Sequence, residues 1–171
     1  GLGDVYKRQV QHYDKKHLFT FGGEHKRFTA GTERVVVNFR GVRILLEVCY
    51  DLRFPVWARN LGDYDMILYV ASWPTPRVDA WSALLRARAI ENQCYVAGVN
   101  RMGVDPACEY SGGSAIIDPY GKTIAECPWS RESAVSADID MEALQAFRKK
   151  FPVLDDADPV SYTHLRAHET E

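Results

Sequence analysis

Cys49 is the residue whose position most favours catalysis, because it follows directly after the β-rich run 42–48. A thiol at a turn between a strand and a helix is exposed, and the free backbone N–H groups of such a turn face the reacting oxygen. A helix N-terminus at the same point favours the thiolate over the thiol. The alternative is that a single cysteine after an apolar run is a small core side chain. These residues alone leave both interpretations open.

A second group of reactive residue types lies nearer the N-terminus, at Lys15, His17 and Glu24. The same residues are also typical of a solvated loop with a surface acid. His12, His17 and His25 lack the spacing of metal ligands, and the sequence contains no HExxH motif, so no metal site is predicted. Nothing marks an orienting partner for a Cys–His couple, and no glycine-rich phosphate loop is present.

The elements that must position these residues alternate between strands and helices. Two β-rich runs, 35–39 and 42–48, predict a hairpin across Arg40-Gly41. The apolar run 66–71 is typical of a strand covered on both faces. Apolar residues at helical spacing predict a helix over 77–92, with a strand at 94–99 directly after it.

The C-terminal part continues this pattern of short elements. Segments 114–117 and 122–125 flank a Pro- and Gly-containing turn and predict a second hairpin. Segment 134–139 is predicted as the last strand. Segment 141–150 is predicted as a helix, because acidic residues near its start and basic residues at its end complement the helix dipole. Together these elements predict a layered α/β fold.

The composition limits the classes of function. The 171 residues are 46% hydrophobic and include 21 Lys+Arg against 23 Asp+Glu, a net charge of −2. This charge does not produce the positive potential that would attract nucleic acid or an anionic membrane. No apolar run has the length of a membrane span, and the first residues do not resemble a signal peptide. The four cysteines have no CxxC spacing, so we expect reduced thiols in the cytoplasm rather than a zinc ribbon.

The two ends of the sequence are related at the level of DNA. Residues 1–9 can be encoded by a string whose reverse complement encodes Val-Ser-Tyr-Thr-His-Leu-Arg-Ala, the sequence of residues 160–167. The string resembles the transposon-end adapter of sequencing libraries. We therefore expect residues 1–9 and 160–171 to be adapter-encoded artefacts, and residues 10–159 to be part of a domain whose gene continues beyond both junctions.

Several blocks, in order, resemble the nitrilase superfamily of carbon–nitrogen hydrolases, and within it the omega-amidase (2-oxoglutaramate amidase) branch. The blocks are 13–19, 49–55 and 87–93, with further similarity at 70–74 and 151–158. The resemblance covers nearly all of residues 10–159. It implies an α/β fold, the four-layer αββα sandwich of the nitrilase type, with its N-terminal part missing from this chain.

The family works with a Glu-Lys-Cys triad, and the resemblance implies catalytic roles for three residues. Cys49 is the nucleophile, Lys15 is the triad lysine, and Glu24 matches a second glutamate that positions the lysine and the substrate amide. A lysine ammonium beside Cys49 stabilises the thiolate and, with the backbone N–H of Tyr50, the oxyanion. The implied reaction is amide hydrolysis through a thioester, with ammonia as leaving group and no cofactor or metal.

The triad glutamate that acts as general base belongs to a segment upstream of Lys15. None of Asp14, Glu24 and Glu33 stands where the family places it. The upstream segment also covers apolar surface in the family's fold. We therefore expect the 171-residue chain to be inactive and poorly soluble, although its parent gene encodes an amidase.

Omega-amidases act on short amides with a distal carboxylate, which a basic or hydrogen-bonding group must meet. Arg53, Trp73 and Arg77 follow predicted strand ends, so they are candidates for the substrate pocket, together with Tyr50. Each has a structural alternative, such as Arg53 bracing Asp51 or another acid, or Trp73 packing in the core. The remaining cysteines, Cys94, Cys108 and Cys127, are interpreted as structural or incidental.

Three alternatives to an omega-amidase stay open. One is a carbamoylase, nitrilase or other aliphatic amidase of the same superfamily, and another is a non-catalytic binding subunit with the same fold. The third is a thiol redox protein, for which Cys94 or Cys108 would have to lie near Cys49. The resemblance also implies a homodimer.

Overall fold

The structure, a computed structural model, describes residues 11–157. The predicted adapter-encoded ends, 1–9 and 160–171, lie outside the described residues. The strands are β1 (Val36–Phe39), β2 (Val42–Val48), β3 (Met66–Ala71), β4 (Tyr95–Asn100), β5 (Met102–Val104), β6 (Glu109–Ser111), β7 (Ala115–Ile117) and β8 (Thr123–Glu126). The α-helices are α1 (Pro55–Ala58), α2 (Val78–Glu91) and α3 (Met141–Lys150), and 3-10 turns include Glu24–Lys26, Cys49–Arg53 and Thr75–Arg77.

One mixed sheet, in the order β1-β2-β3-β4-β7-β8, forms the centre of the described part, and β5 pairs with β6 in a separate hairpin. The predicted hairpin of β1 and β2 is confirmed, with Phe39 opposite Val42. Its two connecting residues, Arg40 and Gly41, have φ of 51° and 84°, as a two-residue type I′ turn requires. The second predicted hairpin is confirmed as β7 and β8. Together these elements confirm the α/β class.

The parallel strands β2, β3 and β4 determine where the site lies. Val48 is opposite Val70, and Ala71 is opposite Asn100, so the three carboxyl ends meet at one edge of the sheet. Open α/β sheets bind ligands at that edge. The residues that follow β2 and β3 in sequence are thereby brought together.

Helix α2 packs on one face of this sheet, and its apolar residues are those predicted. Trp81, Leu85 and Ala89 are buried in the main core cluster, and Leu84 packs against it. The helix approaches the sheet closely because β4 has a glycine there. A Cβ on Gly98 would lie 2.5 Å from Leu85 Cδ1, so a larger residue would push the helix away.

Two predictions about strands are wrong. Segment 134–139 forms no strand, and no strand within residues 11–157 pairs with it. Its alternating pattern suits a strand, but a strand also needs a partner for its backbone groups, and most of these side chains are exposed. Strand β3 is covered on one face only, because α2 packs there, whereas Val70 on the other face is 46% exposed.

Candidate active site

Cys49 lies at a sharp turn, as predicted. It is the first residue of the 3-10 turn Cys49–Arg53, directly after β2, and its φ is 48°. A non-glycine residue in this left-handed region is strained, and such strain is concentrated at functional sites. The Sγ of Cys49 lies 3.9 Å from the carbonyl oxygen of Ser72, which follows β3. The side chain of Cys49 packs against the core cluster and also lines the open cavity, so it combines the two interpretations.

Lys15 and Glu24 form an ion pair on the wall of the same cavity. The Nζ of Lys15 donates to both carboxylate oxygens of Glu24, at 2.7 and 3.0 Å. The oxygen at 2.7 Å, Oε2, also accepts the backbone N–H of Phe19 at 2.8 Å. Burial by itself raises the pKa of Glu24, but the hydrogen bonds from Lys15 and Phe19 bring that pKa below its ordinary value. Glu24 is therefore a carboxylate that orients Lys15 and is a weak proton acceptor.

The charge state of Cys49 reflects two opposing effects. Burial raises the pKa of the Cys49 thiol, whereas the positive charge of Lys15 lowers it, and burial dominates. The lysine thus acts in the predicted direction, but the thiol stays above its ordinary pKa. A nucleophile in this state needs a base to take its proton at the moment of attack.

Asp51 joins residues 13–17, which include Lys15, to the turn that carries Cys49. Its carboxylate is fully buried, and one oxygen, Oδ2, accepts the Tyr13 hydroxyl at 2.9 Å and the Val48 N–H at 3.1 Å. The other oxygen, Oδ1, accepts the backbone N–H of His17 at 2.8 Å and lies 2.9 Å from the His17 Nδ1. Sequence reasoning missed this role, because the partners are 34 and 38 residues away.

The third sequence block supports the turn from behind. Arg88 on α2 is 3% exposed, and its Nη2 donates to the backbone oxygen of Leu52 at 2.6 Å. Its Nη1 pairs with Glu91 at 2.9 Å. Arg88 belongs to the family-like block 87–93, and its contact with Leu52 holds the turn that carries Cys49. This contact explains why a block so distant in sequence lies beside the candidate site.

Every residue predicted for the site lines one cavity of about 720 Å³. These residues are Lys15, Glu24, Cys49, Tyr50, Arg53, Trp73 and Arg77. The volume suits a small organic ligand. Within residues 11–157 no group of three or more His, Cys, Asp or Glu side chains could hold a metal ion, and no helix is long and apolar enough to cross a membrane.

Trp73 combines the two roles that the sequence offered as alternatives. It is 3% exposed and belongs to the core cluster, yet it also lines the cavity. Its ring carries the guanidinium of Arg53, 5.0 Å from the ring centroid. None of the ion pairs within residues 11–157 includes Arg53, so the alternative in which Arg53 braces Asp51 or another acid is wrong.

The other cysteines lie in different surroundings. All four are free thiols. Cys94 is fully buried, and burial raises its pKa well above the ordinary value, so it does not meet Cys49 as a resolving cysteine. Cys108 lies on the wall of the same cavity as Cys49, so it is the cysteine on which the redox alternative depends. Cys127 contacts the backbone oxygen of Ser133.

Glu47, two residues before Cys49, is a buried acid that the sequence did not indicate. It is 1% exposed, and neither carboxylate oxygen has a hydrogen-bond partner within the described part of the chain. Burial raises the pKa of Glu47 to about 9, and the negative charge of Asp51 adds to this. Glu47 is therefore neutral at pH 7.

This protonation predicts a pH dependence of stability. The folded protein keeps a proton on Glu47 that the unfolded chain releases, because the folded-state pKa is raised. The free energy of unfolding should therefore fall by up to about 1.4 kcal/mol per pH unit between roughly pH 5 and pH 9. Urea unfolding of the full-length gene product at several pH values measures this. Glu47→Gln should remove the slope and exposed Glu33→Gln should keep it, whereas equal slopes in all three proteins would contradict the assignment.

Comparison with known sequences identifies relatives of this chain. Residues 3–149 match the family model described as carbon-nitrogen hydrolase. The omega-amidase YafV of Escherichia coli (strain K12) is 55% identical over 150 residues, which are 87% of this chain and 59% of that protein. The 2-oxoglutaramate amidase of Bacillus subtilis (strain 168) is 42% identical over 157 residues, which are 91% of this chain and 60% of that protein. The chain thus spans less than two thirds of the length of these relatives.

Solved structures resemble the described fold. XC1258 from Xanthomonas campestris, a CN-hydrolase superfamily protein with an arsenic adduct in the active site, is 48% identical with a TM-score of 0.85, covering 88% of this chain and 60% of its own. Saccharomyces cerevisiae Nit3, a member of branch 10 of the nitrilase superfamily, is 27% identical with a TM-score of 0.73, covering 82% of this chain and 52% of its own. The mixed sheet with its helices is therefore the α/β fold of nitrilase-superfamily proteins.

Proposed function

The chain belongs to the carbon–nitrogen hydrolase family, and from this premise we propose that the whole protein hydrolyses the terminal amide of a small omega-amido acid, of the 2-oxoglutaramate type, to the acid and ammonia. The observation that carries the proposal is that the Cys49 thiol, at its strained turn, and the Lys15–Glu24 ion pair share one cavity. XC1258, which is 48% identical, has an arsenic adduct in its active site, and we infer that this adduct marks a reactive group of the kind proposed for Cys49.

The first half of the reaction forms a thioester. The Cys49 sulfur attacks the amide carbonyl carbon, and the electron pair of the C=O bond moves to the oxygen. The Lys15 ammonium and the backbone N–H of Tyr50 stabilise this oxyanion. When the C=O bond re-forms, the C–N bond breaks, and the nitrogen leaves as ammonia with the proton that Cys49 gave up.

The second half releases the acid. Water attacks the thioester carbonyl, a base takes its proton, and the C–S bond breaks to restore the Cys49 thiol. Glu24 is unsuited to this base role, because its pKa is lowered and it is paired with Lys15. We assign proton transfer to a glutamate upstream of Lys15 in the whole protein, and to Glu24 the positioning of the lysine.

The substrate's far end is assigned to the wall formed by Trp73 and Arg53. A guanidinium stacked on a ring keeps its in-plane N–H groups for a carboxylate. Tyr50 is proposed to pack along the short carbon chain, held by edge contacts with Phe19 and Phe54 at 5.0 and 5.1 Å. The names of the relatives in E. coli and B. subtilis support a substrate of this kind.

The first test compares the 171-residue chain with the full-length gene product. We expect robust ammonia release from 2-oxoglutaramate by the full-length protein and none by the 171-residue chain, because the proposed base lies upstream. An ammonia assay on both, with nitrile and N-carbamoyl substrates alongside, separates the superfamily alternatives. Turnover by the short chain would reject the proposed upstream base, and no turnover of any amide by the full-length protein would favour a non-catalytic subunit.

We also propose a cytoplasmic homodimer. The four free cysteines support a reducing compartment. Analytical ultracentrifugation of the full-length protein tests the dimer, for which a monomer at micromolar concentration is the contrary result.

A further inference from the structure

Arg77 lies on the cavity wall without a role in the mechanism above. It ends the 3-10 turn Thr75–Arg77, its side chain is exposed, and its guanidinium lies 5.7 Å from the ring centroid of Phe19. None of the salt bridges within residues 11–157 includes it. A cation that faces a cavity without an acidic partner is suited to an anionic ligand.

Trp73 fixes Arg77 and Arg53 relative to each other. The indole Nε1–H of Trp73 donates to the backbone oxygen of Arg77 at 2.6 Å, while the ring of Trp73 carries the guanidinium of Arg53. Trp73 is itself held by Asn100, whose side-chain oxygen accepts the Trp73 backbone N–H at 2.7 Å. One buried residue therefore contacts the backbone of Arg77 and the guanidinium of Arg53, which places both arginines at the same wall.

The charges of the cavity leave these two arginines available. Lys15 is paired with Glu24 at 2.7 Å, so its charge is already balanced. Asp14 also lines the cavity, but its side chain is 76% exposed. Within residues 11–157 its carboxylate lies 4.0 Å from the Nε2 of His12. A guanidinium stacked on an aromatic ring presents its N–H edge to oxygen ligands, and carboxylates bind that edge in a bidentate way.

We propose that Arg77 is a specificity-determining residue that binds, together with Arg53, the end of the substrate opposite the amide. Two guanidinium groups fit an end with a carboxylate and an adjoining oxygen acceptor, as in a 2-oxo acid. They disfavour an end that carries an ammonium group beside the carboxylate, as in a 2-amino acid, because like charges would meet. The inference deepens the proposed function, on which it rests for the identity of the reacting amide.

Equilibrium binding tests this inference without requiring turnover. The full-length Cys49→Ala protein is titrated with 2-oxoglutaramate and with glutamine in a calorimeter. We expect the parent to prefer 2-oxoglutaramate, and Arg77→Gln to weaken its binding by roughly tenfold to a hundredfold, since one charge-assisted contact is lost. Arg77→Lys, which keeps the charge and loses the planar fork, should lie in between.

Controls separate binding from folding and from catalysis. Arg131→Gln, at an exposed arginine outside the cavity lining, should bind like the parent. In the Cys49-containing enzyme, Arg77→Gln should raise KM for 2-oxoglutaramate while KM for propionamide, which has no carboxylate, stays unchanged. Unchanged 2-oxoglutaramate binding in Arg77→Gln, or equal loss for propionamide, overturns the inference. Loss of binding in Arg77→Gln, when the full-length protein that keeps Cys49 releases no ammonia, would support Arg77 and reject the proposed function instead.

Discussion

Replacing Cys49 by alanine is expected to lower ammonia release from 2-oxoglutaramate by about 10⁴-fold or more, because it removes the sulfur that is proposed to form the thioester. The variant should still bind substrate, since the thiol contributes little to the cavity's polar contacts. A steady-state ammonia assay on the full-length protein measures the loss, and mass spectrometry after rapid acid quenching detects the acyl-enzyme in the parent alone.

Cys127→Ser is the matched control for this experiment, because Cys127 lies outside the cavity lining. It should keep the parent's activity. Retention of more than about one hundredth of the activity in Cys49→Ala would place the nucleophile elsewhere, since covalent catalysis does not survive loss of its nucleophile at that level. A comparable loss in Cys127→Ser would point to general thiol damage rather than to a catalytic role.

Elements that depend on local periodicity could be predicted from the sequence. The helix predicted over 77–92 is α2, Val78–Glu91, and the helix over 141–150 is α3. Apolar residues repeat at helical spacing wherever one face packs on a sheet, so the pattern is written into the segment itself. The strand β3 also has the predicted bounds, because a short continuous apolar run is typical of a strand.

Features that depend on distant partners could not be predicted in this way. Segment 134–139 has the alternation of a strand, but pairing is decided by neighbours that its own sequence does not specify. The burial of Glu47 likewise follows from the packing around β2 and not from its neighbours in sequence. The family blocks identified Cys49 and Lys15 as candidates, yet the contact that joins their segments, through Asp51, appears only when residues 34 to 38 positions apart meet.

The strongest consequence of that contact concerns Asp51. We expect Asp51→Asn to lower kcat by about 100-fold, because an amide offers one acceptor oxygen where the carboxylate offers two. Its NH2 group would face donors from Tyr13, His17 or Val48, and a buried donor without an acceptor is costly, at roughly 1–3 kcal/mol. Residues 13–17, which include Lys15, would then move relative to the turn that carries Cys49. Asp51 is thus a positioning residue, since it touches neither the cavity nor the reacting atoms.

Alkylation of Cys49 distinguishes positioning from simple loss of stability. Because Lys15 lowers the pKa of the thiol, its displacement in Asp51→Asn should move the pH midpoint of iodoacetamide alkylation upward. Exposed Asp138→Asn should keep the parent's profile. If Asp51→Asn is less stable in urea but shows the parent's alkylation midpoint and the parent's kcat per folded molecule, its carboxylate serves the fold alone. If both quantities change together, the carboxylate sets the distance over which the lysine acts on the thiol, and the catalytic geometry rests on a buried acid outside the proposed triad.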